Sequence, residues 1–277
     1  MKGEFWILDN KPRITINVCS VGKQWNREVA KDKKRESGDF AALEEINLEI
    51  YEGEFLCLLG PSGCGKTTLL NIMAGFERPS SGSVLIDGVE VDKPHPKRIT
   101  IFQEYALLPW RSVLGNVEFG LEMARVPKKE RQVKARELLK LVGLADVESK
   151  MPRELSGGMR QRVAVARSLA VDPDILFMDE PFGALDALTR IRMEEELAGI
   201  WLEKKKTIVF VTHDIDESVY LADRIVVLSA LPGRIREIIP IDSGRPRDRT
   251  SIEFIRLRER VYEALSLGYN KTVEYYL

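Results

Sequence analysis

The chain has 277 residues, 44% of them hydrophobic and 31% charged, and carries a net charge of −1. That is enough apolar material for one large domain plus a tail, and the balanced charge leaves no global basic field for nucleic acid. The longest apolar runs, such as Ile225 to Leu228, are far too short for a bilayer span, and the expected secretory pattern of a cationic stretch before a long apolar one is missing.

Residues 14 to 19 and 43 to 50 read as short strands, the second with apolar Leu43, Ile46, Leu48 and Ile50. Between them, Asn26 to Asp39 is dense in charge and is expected to be a long exposed loop. Phe55 to Leu59 fits a buried strand, and Lys66 to Ala74 fits a helix closed by Gly75. Ser80 to Ser83 predicts a turn, Val84 to Ile86 a strand, and Asp87-Gly88 another turn. Residues 99 to 103 predict an apolar strand ending at Gln103. From about 112 to 171 the pattern is helical. Lys128 to Val142 has an apolar side at Val133, Leu138, Leu141 and Val142, with Gly143 as its stop. Ile175 to Met178, Thr207 to Val211 and Ile225 to Leu228 are buried-type strands. The alternation implies an α/β sheet with a helical insertion. After Pro240 the composition shifts. Thr250-x-x-Glu253 reads as a capping box for a helix lined by Phe254, Leu257, Val261 and Leu265.

The chemistry centres on Gly60-Pro61-Ser62-Gly63-Cys64-Gly65-Lys66-Thr67-Thr68, between the strand at 55 to 59 and the helix at 66 to 74. This is the strand–glycine loop–helix context of a phosphate-binding loop. Backbone N–H groups turned inward, with the helix N-terminus, form an anion site. Lys66 can reach the β- and γ-phosphates of a nucleotide and the Thr67 hydroxyl can ligate Mg²⁺. Cys64 lies among these amides, and their positive field predicts a thiolate open to alkylation. The cysteine count is odd (Cys19, Cys57, Cys64), which points to free thiols in a reducing cytosol.

Met178-Asp179-Glu180 ends a buried strand with two carboxylates, the first placed for Mg²⁺ and the second for orienting or deprotonating a water. Ser156-Gly157-Gly158 opens a strong helix with Ser156 as N-cap, a second anion site. His213 follows an apolar strand and can donate a ring N–H to a γ-phosphate. His95, in a Pro-flanked loop, receives no role.

The order of these motifs resembles the ATP-binding cassette (ABC) transporter ATPases. Walker A falls at 60 to 68, the Q-loop at Gln103, the LSGG signature at 155 to 158 and Walker B at 175 to 180. The D-loop Ala184-Leu185-Asp186 and the switch His213 follow. The signature continues with Met159 where Gln is common. The resemblance spans residues 14 to 240. It implies an α/β P-loop NTPase (RecA-like) core sheet with a helical signature subdomain at about 104 to 162, an N-terminal antiparallel β subdomain, and a C-terminal helical tail at 241 to 277. It implies ATP and Mg²⁺ as ligands, with Gln103 joining Thr67 and Asp179 at the metal and acting with Glu180 and His213 in hydrolysis. Trp25 is the candidate for stacking on adenine, Phe40 is the alternative, and a plain packing role for Trp25 stays open. Its implied partners are a second copy, whose signature completes each ATP site, a polytopic permease, and indirectly an extracytoplasmic binding protein. Nucleic acid is not among them. The implied location is peripheral, on the cytoplasmic face of the membrane. Phe102-Gln103-Glu104, Leu107-Leu108-Pro109-Trp110 and Arg245-Pro246-Arg247-Asp248-Arg249 resemble importers for nitrate, sulfonates, taurine and thiamine precursors. Tyr105, Leu107, Leu108, Pro109 and Trp110 are the expected apolar lining of the permease groove, with packing inside the helical insertion as the alternative. The rival functions are a soluble ABC protein acting on ribosomes or DNA, and an exporter ATPase.

Overall fold

The computed structural model describes residues 12–25, 40–103, 105–183 and 185–266. The expected loop at 26 to 39, Glu104 and Ala184 lie outside them.

Two sheets carry the fold. The first runs β2 (Phe40–Tyr51), β1 (Ile14–Trp25), β4 (Ser81–Ile86) and β5 (Val89–Glu90), all antiparallel. Both leading strands are longer than the sequence pattern suggested, because a bulge at Ser20, with φ 47°, lets β1 keep pairing beyond Cys19. The turn expected at Ser80 to Ser83 is instead the start of β4. Gly82 takes φ 73° there, and a Cβ on it would lie 2.3 Å from the carbonyl oxygens of Cys19 and Ser20.

The second sheet has the order β10 (Ile235–Pro240), β9 (Arg224–Leu228), β3 (Phe55–Leu59), β8 (Thr207–Thr212), β7 (Ile175–Asp179), β6 (Arg98–Ile101). The five strands from β9 to β6 are parallel and β10 is antiparallel. Its four central strands, β9, β3, β8 and β7, are buried on both faces, which explains why they read as unbroken apolar runs. In β3, Leu56 and Leu58 face a core shared with the first sheet and with α1 (Lys66–Ala74), while Phe55, Cys57 and Leu59 face the larger helical core.

Between β6 and β7 lie α2 (Val113–Val117), α3 (Phe119–Met123), α4 (Lys128–Leu141) and α5 (Gly157–Ala170). On α4 the buried stripe is Ala135, Leu138 and Leu139, continued by Val142, and it packs on α2 and α5. Val133, 52% exposed, therefore faces solvent instead of lining the apolar side, and Leu141 is also exposed. After β7 come α6 (Ala187–Lys204), α7 (Ile215–Leu221) between β8 and β9, and α8 (Ile252–Ser266). Phe254, Val261 and Ala264 of α8 join the main core, with Leu257 and Leu265 packed against it. The N-terminal cap of α8 is Ser251, whose Oγ accepts the Phe254 N–H at 3.2 Å. Thr250, expected in that role, is held by Asp248, which accepts both its N–H and its hydroxyl. Among the described residues, no helix is long and apolar enough to cross a membrane.

Candidate nucleotide site

Parallel pairing brings the functional segments to one edge. Leu59 pairs with Thr212, Asp179 with Val211, and Ile101 with Met178. The phosphate loop, the His213 loop, the Asp179-Glu180 pair and Gln103 therefore all leave the sheet at its carboxyl end, where open α/β sheets bind ligands. Gln103 is exposed two residues beyond β6, so the strand stops short of it.

The loop at 60 to 68 is shaped by its glycines and held from inside by its lysine. Gly65 has φ 95°, and a Cβ there would sit 2.8 Å from the Ala42 carbonyl oxygen, so only glycine fits the turn into α1. Lys66 is 5% exposed, and its Nζ donates to the carbonyls of Gly60 and Pro61 at 2.8 and 3.0 Å. Pro61, Ser62, Gly63 and Thr67 are exposed, and Thr68 is half-buried. Cys64 is buried. Its sulfur lies toward Gly60, where an added Cβ would be 2.7 Å from it, and burial pushes the thiol pKa up. The expected reactive thiolate is thus corrected: Cys64 contributes its backbone to the loop and its side chain to the core.

A support absent from the sequence reading comes from Gly233. Its N–H donates to the Ala42 carbonyl and its own carbonyl accepts the Glu44 N–H, both at 3.0 Å. A Cβ on Gly233 would lie 2.1 Å from the Cys64 carbonyl oxygen. Bare backbone is what fits between β2 and the phosphate loop.

Asp179 Oδ1 accepts the Thr67 hydroxyl at 3.0 Å. Burial raises the Asp179 pKa, with the Thr67 bond opposing it. A hydroxyl and one carboxylate are hard oxygen donors suited to Mg²⁺, which takes few protein ligands and completes its shell with phosphate and water. Among the described residues, no group of three or more His, Cys, Asp or Glu residues could hold a metal ion.

Glu180 has φ 43°, a left-handed conformation that costs a non-glycine residue roughly 1–2 kcal/mol and that clusters at functional sites. It turns the chain out of β7 and sets Oε2 3.1 Å from His213 Nδ1. With Nδ1 donating to the carboxylate, Nε2 donates outward only in the imidazolium form.

Ser156 caps α5, its Oγ accepting the Met159 N–H at 3.3 Å. A Cβ on Gly158 would meet Thr189 of α6 at 2.7 Å, and one on Gly157 would lie 3.7 Å from Leu185 and 3.9 Å from the Tyr105 hydroxyl. These neighbours belong to α6, the turn before it and the segment after Gln103, and none lies in the phosphate loop. Trp25 and Phe40 pair across the end of the β1–β2 ribbon, both about one-third exposed at 37% and 38%. Lys23 Nζ lies 4.4 Å above the Trp25 ring.

Beyond Gln103, Arg167 donates to the carbonyls of Ala106 and Tyr105 at 2.7 and 3.0 Å. Asn116, fully buried, exchanges two bonds with the backbone of Leu108. Tyr105 and Leu107 pack on the core, while Trp110 is 72% exposed. The expected apolar lining thus divides: its first part packs inward and Trp110 points out.

A glycine loop at the carboxyl edge of a parallel sheet, facing an Asp-Glu pair and a strand-end histidine, defines a P-loop ATPase. The chain belongs to the ABC transporter family, whose model matches residues 43–183, and its reaction is ATP hydrolysis. It is 58% identical over 224 residues to an uncharacterised ABC transporter ATP-binding protein of Methanocaldococcus jannaschii, covering 81% of this chain and 84% of that one. It is 45% identical over 239 residues to the nitrate import ATP-binding protein of Synechococcus elongatus, covering 84% and 87% of the two chains. It is also 45% identical over 243 residues to an aliphatic sulfonates import ATP-binding protein of Bacillus thuringiensis, covering 87% and 95%. Among solved structures it resembles the dimeric structure of a bacterial ABC transporter cassette, with TM-score 0.70 and 33% identity over 83% of this chain and all of that one. A dimeric post-hydrolysis state of such a cassette bound to ADP and Pi matches with TM-score 0.70, 32% identity and the same coverage.

Proposed function

We propose that this chain is the ATP-hydrolysing subunit of an importer for a small solute, an anion such as nitrate, a sulfonate or taurine. The observation that carries the importer reading is the 45% identity, over more than four-fifths of the chain, to nitrate and aliphatic sulfonate import proteins.

The phosphate-loop amides and Lys66 hold the nucleotide's phosphates. Thr67 and Asp179 would hold Mg²⁺, with Gln103 beside them, and the ion when bound offsets the charge that develops on the phosphates. Glu180 polarises the attacking water and His213 orients Glu180 and faces the terminal phosphate. Ser156 to Gly158 act on the nucleotide of a second copy, since in their own chain Gly157 and Gly158 lie beside Leu185, Thr189 and Tyr105 and not beside the phosphate loop. Two ATP molecules therefore close a homodimer, and hydrolysis opens it. Trp25, with Phe40 as the alternative, stacks on adenine. An aromatic stack on a base is worth roughly 1–3 kcal/mol.

The cassette proper is residues 14 to 240, with its helical subdomain at about 104 to 162 and the tail at 241 to 277. Exposed Trp110, together with Phe102 and Phe76, whose rings lie 5.5 Å apart, offers apolar surface to a polytopic permease at the cytoplasmic face of the membrane. An extracytoplasmic binding protein selects the solute and acts on this chain only through the permease.

Tagged full-length chain isolated from its own membranes tests this reading. A polytopic membrane protein should copurify, and in proteoliposomes the solute-loaded binding protein should raise ATP turnover. Recovery of ribosomes or nucleic acid instead would replace the importer by a non-transport role.

A further inference from the structure

Arg190 of α6 binds two of the segments around the site at once. Its Nη2 donates to the Leu185 carbonyl at 3.1 Å, in the stretch leading from Glu180 into α6. Its Nη1 donates to Asp214, beside His213, at 3.2 Å. Its Nε lies 3.6 Å from Glu217, which in turn accepts the Thr212 hydroxyl at 2.5 Å. Asp214 is itself fixed, accepting the N–H groups of Asp216 and Glu217 while its own N–H donates to Thr212. The Arg190 fork thus ties the segment after Glu180 to the loop carrying His213.

Glu194 lies one helical turn further along α6, 3% exposed, where its charge acts on Arg190. Its hydrogen-bonding partner comes from far along the chain. Arg249, in the segment leading into α8, donates to Glu194 and lies 3.6 Å over the Tyr220 ring. Three carboxylates at least partly buried, Glu194, Asp214 and Glu217, therefore share two guanidiniums, and exposed Glu195 lies 3.7 Å from Arg249 as well. Burial, with mutual repulsion added, pushes Glu194 and Glu217 each up to about 7. If Arg249 were lost, Arg190 would be left to serve all three.

We propose that Arg249 is a positioning residue for ATP hydrolysis: by holding Glu194, it leaves Arg190 free to pin the Leu185 carbonyl to Asp214 and so sets the spacing between Glu180 and His213. The segment before α8 thereby controls turnover without touching nucleotide. This rests on the assignment of Glu180 and His213 to the hydrolytic site, and not on the importer role.

The test is steady-state hydrolysis by the full-length chain across a Mg-ATP titration, run at a pH well above 7 so that Glu194 is ionised. Arg249→Gln should lower kcat about five- to tenfold, within the range of a few-residue coupling, and leave KM for ATP within about twofold. Glu194→Gln should stay near wild type. The double variant Arg249→Gln, Glu194→Gln should recover, because no carboxylate remains there to draw Arg190 away. A tail that merely anchors α8 would leave the double variant as slow as Arg249→Gln. That result, or wild-type kcat in Arg249→Gln, overturns the proposal. If Arg249→Gln does not accumulate as folded protein, Arg190→Lys decides. It keeps the charge but has no fork to span both acceptors, so an unchanged kcat overturns the proposal too. His213→Ala is measured alongside. Wild-type turnover in His213→Ala would remove the site assignment itself, whereas an inactive His213→Ala beside an unrescued double variant removes only the role of Arg249.

Discussion

Gly233→Ala puts the support of the phosphate loop to a quantitative test. The added methyl would lie 2.1 Å from the Cys64 carbonyl oxygen and 3.1 Å from that of Ala42. Ordinary contact begins near 3.4 Å, so about 1 Å of movement is required, and the obstacle is backbone that no rotamer change can clear. Either the segment carrying Gly233 retreats from β2 or the phosphate loop shifts at Cys64. Retreat breaks the bonds from Gly233 to Ala42 and from Glu44 to Gly233, at about 0.5–1.5 kcal/mol each, or roughly 1–3 kcal/mol together. Distortion of the loop misdirects the amides that hold phosphate, and the same energy taken from binding is roughly a 5- to 150-fold loss of ATP affinity. Calorimetric titration with Mg-ATP and thermal unfolding report the two responses, and at least one should move. Gly244→Ala is the control, since nothing lies within 4 Å of its Cβ position. A Gly233→Ala chain with wild-type affinity and wild-type Tm would refute the wedge.

Other outcomes follow from the same geometry. Glu180→Gln keeps the shape beside His213 but removes the base, so turnover should fall at least ~10²-fold while ATP still binds. With Mg-ATP this variant should elute from size exclusion as a homodimer, and a monomer that binds ATP normally at high concentration counts against the composite site. Peptide mapping after maleimide treatment of the native chain should find Cys57 and Cys64 protected with or without Mg-ATP, because both are buried and burial raises both thiol pKa values; rapid labelling of Cys64 would restore the reactive-thiolate expectation. Glu194 titrates near 7 when folded and near 4.5 as a free carboxyl, so between those values the folded state binds the extra proton and this group's contribution to stability declines as pH rises. The Tm of Glu194→Gln relative to wild type should therefore climb from pH 5 to pH 8, and a difference that is flat or shrinking would contradict the burial argument.

The sequence made the parallel sheet readable because strands buried on both faces leave unbroken apolar runs, and it made the phosphate loop readable because its glycines are adjacent in the chain. What depended on distant packing stayed hidden. Nothing near Gly233 in the sequence points to Cys64, which becomes its neighbour only when β2 and the β9–β10 connection close on the loop. The field at Cys64 was legible, but not that its sulfur turns toward Gly60 and into the core shared with the first sheet. Thr250 and Ser251 are adjacent hydroxyls with equal claims to cap α8, and Asp248 decides between them by engaging Thr250. Val133 matched a helical stripe, yet α4 turns Ala135, Leu138 and Leu139 inward, and that choice belongs to α2 and α5.

The site separates groups that meet ligand from groups that hold them. Thr67, Ser156 and His213 are exposed, while Lys66 and Glu217 are buried and bonded within the protein. Substitutions of Thr67 and His213 should change kinetics with little effect on Tm, whereas those of Ser156 also remove the cap of α5 and lower Tm. Those in the second change charges that the interior must balance, so their effects on turnover and stability travel together unless a second substitution restores the balance. Lys66 belongs to both sets, since the ammonium assigned to phosphate also ties Gly60 and Pro61. Its loss therefore removes a ligand contact and loosens the loop at once. ATP affinity in Lys66→Ala will consequently overstate what the charge alone contributes, and Lys66→Arg, which keeps the charge in a bulkier head, is the comparison that divides the two.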